Sequence, residues 1–244
     1  MIAALFSAKG APGVTSTALA LAAVWPRPVV LVEADPAGSD LTYRCRISGG
    51  GMPAPSPSLL SLGTAAARPD RQAPLAVWTQ QLGCGVNVVL GVTSPAQGRG
   101  IEPLWSRISD ILRAAELDVL VDAGRLARGA ASASLVQVAD VRIPVAKASA
   151  ESVITTRELL RDVAFADGLT IPVVVTSARA GAADAGDLDE ILRGAGVFAE
   201  SSMPMAFDHP GLLALERGAS PAGRGRGSLL VRSARRIAER TAGL

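Results

Sequence analysis

Short, unbroken apolar runs rich in β-branched residues alternate along this chain with longer helical patterns. The runs cover residues 2–8, 29–33 ("VVLVE"), 86–90 ("VNVVL"), 117–121 ("LDVLV"), 141–145 and 171–176 ("IPVVVT"). A strand that is apolar at every position, rather than at every second one, is covered on both faces, as in a parallel sheet between two layers of helices. Helical patterns fill the intervals at 15–24, 102–115, 132–139, 149–163 and 188–193, the first of them stopped by Pro26 and Pro28. With right-handed crossovers, this order predicts an α/β fold: a doubly wound, mostly parallel sheet with helices on both faces. At 244 residues and 49% hydrophobic composition, the chain is expected to be one domain, 1–244, without internal repeat or linker.

Composition removes several classes of function. The net charge of +2 points to no partner by itself, and 3% aromatic residues are too few for a surface that stacks single-stranded nucleic acid. Cys45 and Cys84 lack metal-ligand spacing and read as reduced, packed thiols of a cytosolic protein. The single histidine, His209, lies between Asp208 and Pro210 and reads as a turn residue, not a catalyst. The apolar N-terminus has no basic start and is split by Lys9-Gly10 and Pro12-Gly13, so it is not a signal peptide. No uninterrupted apolar run reaches the roughly 20 residues of a spanning helix. A soluble, cytoplasmic protein is expected. The segment 49–58, "GGGMPAPSPS", reads as a connecting loop on the edge where ligand-facing loops sit.

Three segments carry chemistry, each at the end of a predicted strand. The first is the turn Lys9-Gly10-Ala11-Pro12-Gly13-Val14-Thr15, between a strand and a helix. Glycines let such a turn curl its N–H groups toward phosphate oxygens, and the helix N-terminus adds partial positive charge. Against the pattern G-x-x-x-x-G-K-[ST], Ala8 stands at the first glycine and Val14 at the lysine, while Thr15 keeps the hydroxyl that would hold Mg²⁺. Lys9 and Lys147 are the only lysines among the 24 basic residues, so a lysine inside a glycine turn is not generic positive charge. The second segment, "VEADPAGSDL", offers Glu33 and Asp35, which point the same way in an extended chain. The third, "LDVLVDAG", ends an apolar strand in Asp122. Taken alone, each acid is equally a cap or turn residue.

Together these segments resemble the MinD/ParA family of P-loop ATPases with a deviant Walker A motif, whose loop reads K-G-G-x-G-K-[ST]. Lys9 matches the extra signature lysine, Gly10 and Gly13 match glycines, and Thr15 matches the magnesium threonine. "EADPAG" resembles the switch segment D-x-D-P-x-G, with Asp35 in the catalytic acidic position. "LDVLVDAG" resembles the D-x-[apolar]₃-D-[TA] strand that ends in Asp122. "ASAESVITTRELL" and "SSMPMAFD" resemble later family segments, the second a late I-P-x-D turn. The resemblance implies a P-loop NTPase fold that binds ATP and Mg²⁺ through residues Lys9, Gly10, Ala11, Pro12, Gly13, Val14, Thr15 and Ser16. Thr15, Asp35 and Asp122 would serve the metal, and Asp35 and Lys9 the catalysis. It also implies a homodimer across the nucleotide, with Lys9 reaching the partner's phosphates, and a protein cargo or regulator bound by the dimer.

The departures from the pattern matter as much. Val14 removes the cation that would pair with the phosphates in cis, a contact worth about 1.5–3 kcal/mol, and Pro12 removes one N–H donor. Lys147 follows a different strand and is not expected to replace it. The expectation is weak or partner-dependent nucleotide binding with slow or absent hydrolysis, at the degenerate, CpaE/TadZ-like end of the family. The alternative is a pseudo-ATPase scaffold that dimerises without nucleotide. Nothing resembles the substrate pocket or cluster ligands of a metabolic enzyme on the same fold.

The C-terminal segment 217–244 holds seven arginines against Glu239 alone. "SPAGRGRG" reads as a loop. Residues 228–240 read as a helix that docks the stripe Leu230, Ala234 and Ile237 and leaves its arginines in water. The alternative is a surface for DNA phosphates or an anionic membrane built from Arg224, Arg226, Arg232, Arg235 and Arg236, with the protein peripheral at nucleoid or membrane.

Overall fold

The computed structural model describes residues 1–244 apart from Ala11, 69–72, 127–128, 130–131, 164–167 and 224–226. Nine strands are present among the described residues: β1 (Ile2–Ser7), β2 (Val29–Glu33), β3 (Gln80–Gln81), β4 (Asn87–Val89), β5 (Asp118–Arg125), β6 (Val141–Lys147), β7 (Leu169–Thr170), β8 (Val173–Thr176) and β9 (Met203–Ala206). The α-helices are α1 (Val14–Val24), α2 (Leu41–Arg44), α3 (Leu59–Ala66), α4 (Pro95–Ile101), α5 (Trp105–Arg113), α6 (Ala133–Gln137), α7 (Ala150–Asp162), α8 (Gly181–Gly194), α9 (His209–Glu216) and α10 (Leu229–Ala242). The sheet order is β3-β4-β2-β5-β1-β6-β8-β9, with β7 also paired to β6. Every pair is parallel except β3 with β4 at the edge. The chain is therefore an α/β protein with the doubly wound sheet its strand pattern predicts.

Strand alternation explains why both layers are needed. Leu31 on β2, Leu120 on β5 and Ile143 on β6 face one side and pack with Ala18 and Leu21 of α1 and Ala234 and Ile237 of α10. Val32, Val121 and Val174 face the other side and pack with Leu62, Ile108, Leu135, Val153 and Leu188 of α3, α5, α6, α7 and α8. Leu5, Leu19 and Leu31 have no exposed surface. Burying a leucine fully is worth about 1.5–3 kcal/mol.

Several boundaries moved, for physical reasons. β5 runs four residues past its apolar run, so Asp122 lies inside the strand. Between Leu5↔Asp122 and Ser7↔Arg125 the register slips, and Gly124 takes φ +62°, the left-handed conformation that suits a bulge. The run 171–176 yields β8 only from Val173; Pro172, which cannot donate to a ladder, lies between it and the short β7, which ends at Thr170. "SSMPMAFD", expected as a turn, contains the edge strand β9, where Pro204 is tolerated because an edge leaves its N side unpaired. His209 is not a turn residue but the first residue of α9, capped by Asp208. The segment 49–58 is irregular and is tied to the edge strand β3: Gln80 donates to the carbonyls of Ala54 and Pro57 and accepts from the Ala54 N–H. Both cysteines are free and buried, and burial pushes the Cys45 thiol up to about 12.

Candidate functional site

β1 is the fourth of the eight strands counted from the β9 edge and is flanked by β5 and β6, so its exit turn stands over the C-terminal ends of its neighbours. Such switch points in α/β sheets form ligand crevices. Gly13 caps α1 in the left-handed conformation, φ +100°. The first turn of α1 carries no acid and receives no side-chain cap, which leaves its N–H groups without a side-chain partner. By contrast, α4, α7, α9 and α10 each receive a serine or aspartate cap. Pro12 is buried and Lys9 and Gly10 are exposed; Ala11 lies outside the described residues.

Val14 does more than remove a charge. Its side chain is buried, at 6% exposure, in the core cluster beneath α1. The next two residues face the crevice. Thr15 donates to the Asp122 carboxylate, and the Ser16 hydroxyl accepts from Arg44 Nη2 at 2.9 Å. Arg44 was not anticipated. It comes from α2, three residues beyond "VEADPAGSDL", and its Nε also donates to Glu216 at 2.8 Å. Charge balance alone could have raised the question of what Arg44 pairs with, but not that it reaches the turn.

The acids converge, but in different states. Asp122 is 1% exposed and also accepts from the Gly124 N–H at 3.0 Å. Burial, reinforced by the charges of Glu33 and Asp35, pushes its carboxyl up to about 7, against the hydrogen bonds from Thr15 and Gly124. Asp35 is held by the Ala37 N–H at 2.8 Å and packs on Gly124 so closely that an added Cβ there would lie 2.1 Å from its Oδ2. Burial raises the Asp35 carboxyl, as does the Asp40 charge. Glu33 does not point freely into the crevice. It accepts from the N–H groups of Asp40, Leu41 and Gly91 at 3.1, 2.9 and 3.0 Å and from the Ser39 hydroxyl, tying residues 39–41 and Gly91 to the end of β2. Burial raises its carboxyl despite those four bonds.

Hard oxygen donors with uncompensated negative charge suit Mg²⁺, which prefers one or two carboxylates plus phosphate oxygens and water over a cage of protein ligands. The Thr15 hydroxyl and the Asp122 and Asp35 carboxylates fit that description. Among the described residues, no three His, Cys, Asp or Glu side chains form a complete metal site.

Beside the turn lies a cavity of about 160 Å³, lined by Pro12, Gly13, Ser16, Lys147, Phe207 and His209 among others. Lys9 points away from this cavity: its Nζ pairs with Glu151 at the start of α7, and both side chains are largely in water. On α10 the apolar stripe is spent on α1 and the sheet. Arg232 and Arg236 are exposed and Arg235 is half-buried, while Arg224 and Arg226 lie outside the described residues. No helix among the described residues is long and apolar enough to cross a membrane.

No protein-family model matches the sequence, and no curated protein matches it. Solved structures do match. A ParA family ATPase from Chlorobium tepidum superimposes with a TM-score of 0.74 at 17% identity, covering 98% of each chain. The septum site-determining protein MinD with Mg-ADP from Pyrococcus horikoshii gives 0.70 at 16% identity, over 98% of this chain and 95% of that one. A McdA–ATP complex from Cyanothece gives 0.65 at 17% identity, over 100% and 96%. The fold is thus that of the MinD and ParA ATPases, a P-loop NTPase fold, across essentially the whole chain.

Proposed function

We propose that the chain is a nucleotide-dependent dimerisation switch of MinD/ParA type. It would serve spatial positioning of a chromosome or plasmid, a division site, or a pilus or secretion machine, with weakened or absent ATP hydrolysis. One observation carries this reading: the uncapped first turn of α1, the Thr15–Asp122 hydrogen bond and Asp35 seated on Gly124 bring the three sequence segments to one crevice. Lys9 to Ser16 would cradle the phosphates with main-chain amides and hydroxyls. Thr15, Asp122 and Asp35 would hold Mg²⁺, which supplies charge neutralisation to the phosphates when bound. Asp35 would orient the attacking water, and Lys9 would leave Glu151 to reach the partner subunit. Val14 keeps the chain at the degenerate, CpaE/TadZ-like end, because its buried side chain offers no cation to the transition state. A homodimer would recruit a protein cargo or regulator, and Arg232, Arg235 and Arg236 would add affinity for DNA or an anionic membrane.

Calorimetric titration with Mg·ATP, beside sizing chromatography with and without nucleotide, tests the reading. Nucleotide-induced dimers that disappear in Lys9→Ala are the expected result. The second reading, a scaffold that dimerises without nucleotide, is favoured by Val14 and by the Thr15 hydroxyl already being spent on Asp122. A constitutive dimer with no heat of binding would establish it instead.

A further inference from the structure

We propose that Lys147 is the cis cation of the phosphate turn, standing in for the lysine that Val14 has replaced. This rests on the nucleotide-binding reading above. Sequence order alone argues against Lys147, which follows a different strand, yet that strand, β6, is the direct neighbour of β1. β6 lies between β1 and β8, and Lys147 pairs in register with Val175 on β8. The Val175 Cγ2 is 4.0 Å from where a Cβ on Gly13 would stand, so the turn leans over the ends of both strands. The odd-numbered residues Val141, Ile143 and Val145 face the layer that carries α1. Alternation puts Lys147 on that same face. Lys147 accordingly lines the cavity shared with Pro12, Gly13 and Ser16.

The main chain at this point is fixed and the side chain is not. The Lys147 N–H donates to the Ser152 hydroxyl at 2.9 Å, and the Ala148 N–H donates to the Val175 carbonyl at 3.1 Å. Three basic side chains stand around the turn. Lys9 is paired with Glu151. Arg44 is paired with Glu216 and, at 3.4 Å, with Asp40. Lys147 makes no ion pair among the described residues, so its charge is the one left for an anion. An ammonium on a flexible stem, held at a rigid strand end, suits a phosphate oxygen as a point-charge partner. Relocating the cation from the helix to the neighbouring strand also explains how Val14 can be buried while the crevice keeps a positive group.

The test titrates wild type, Lys147→Ala and Lys147→Arg with Mg·ATP and, separately, with adenosine, and monitors folding by thermal melt. Because the side chain is exposed, both variants should fold. Loss of one charged hydrogen-bond partner predicts about 10- to 100-fold weaker Mg·ATP binding in Lys147→Ala. Adenosine binding should be unchanged, and Lys147→Arg should retain most of the affinity. Equal Mg·ATP affinity in wild type and Lys147→Ala would overturn the assignment and leave the nucleotide site standing. Equal weakening toward adenosine and Mg·ATP would also overturn it, by showing that Lys147 shapes the cavity and does not meet phosphate. Absence of Mg·ATP binding in wild type would fell the nucleotide reading itself, and this assignment with it.

Discussion

Asp122 is a buried acid that makes no ion pair among the described residues and feels the charges of Glu33 and Asp35. Its carboxyl titrates near 7 in the folded protein against an ordinary 3.8. A folded value raised in this way favours the protonated form. The associated stability is complete below about pH 4 and is lost as pH rises through 7. In the metal-free protein, Asp122→Asn should therefore gain stability relative to wild type as pH increases. The gain between pH 4 and pH 8 should be on the order of 2–4 kcal/mol in chelator-treated denaturant melts. A difference that does not vary with pH would refute it. Gly124 poses a steric question at the same spot. Its positive φ disfavours any side chain, and a methyl group would collide with the Asp35 carboxylate. Gly124→Ala should cost about 1–3 kcal/mol, with part of the loss recovered when Asp35→Gly removes the carboxylate. Identical losses in both backgrounds would mean that the backbone conformation alone, and not the packing of Asp35, sets the requirement.

Among the elements, the join between α9 and α10 depends on one carboxylate. Asp208 accepts from the Gly211 N–H at 2.9 Å, the Ser228 hydroxyl at 2.8 Å and the Leu229 N–H at 2.8 Å, so it serves the N-termini of both helices. Capping losses run to about 0.5–2 kcal/mol per helix. Asp208→Ala should therefore lower stability by about 1–3 kcal/mol, measured as a shift in denaturant midpoint with unchanged slope, and Asp208→Asn should lose less. This double duty was invisible in the sequence because it joins two segments twenty residues apart. The strands were legible for the opposite reason: Val29–Glu33 is an apolar run set by local burial alone, and its bounds match. α8 was read short because its first half, "GAADAG", combines weak helix formers with small residues whose burial only the folded sheet reveals. Thr15, Asp35 and Asp122 were legible as candidates from their motif spacing, and the fold sets Thr15 on the first turn of α1 near Asp122 on β5 and Asp35 just after β2. Arg44 and Lys147 were not, because their approach to the turn follows from strand order, which no local pattern encodes.

For the molecule as a whole, the proposed dimer turns on what Lys9 gives up before it can reach a second copy. Its ammonium is held by Glu151, at the first turn of α7, and that hydrogen bond together with the lysine's charge holds the Glu151 carboxyl below its usual range. Both side chains are mostly in water, so the contact is weak and screened by salt, and it restrains the lysine without trapping it. A lysine that is to cross to a partner's phosphates has to break this contact, and the loss opposes the dimer. Under the proposed dimerisation switch, Glu151→Gln should shift the monomer–dimer balance with nucleotide toward dimer at low ionic strength. The shift should shrink as salt is raised, with thermal stability essentially unaltered. Sedimentation velocity at two salt concentrations, with Mg·ATP present, reads both effects. If Glu151→Gln and wild type dimerise alike at low salt while Lys9→Ala still abolishes the dimer, Glu151 does not restrain the lysine. If Lys9→Ala dimerises as wild type does, the lysine has no trans role, and the two copies must associate through another surface.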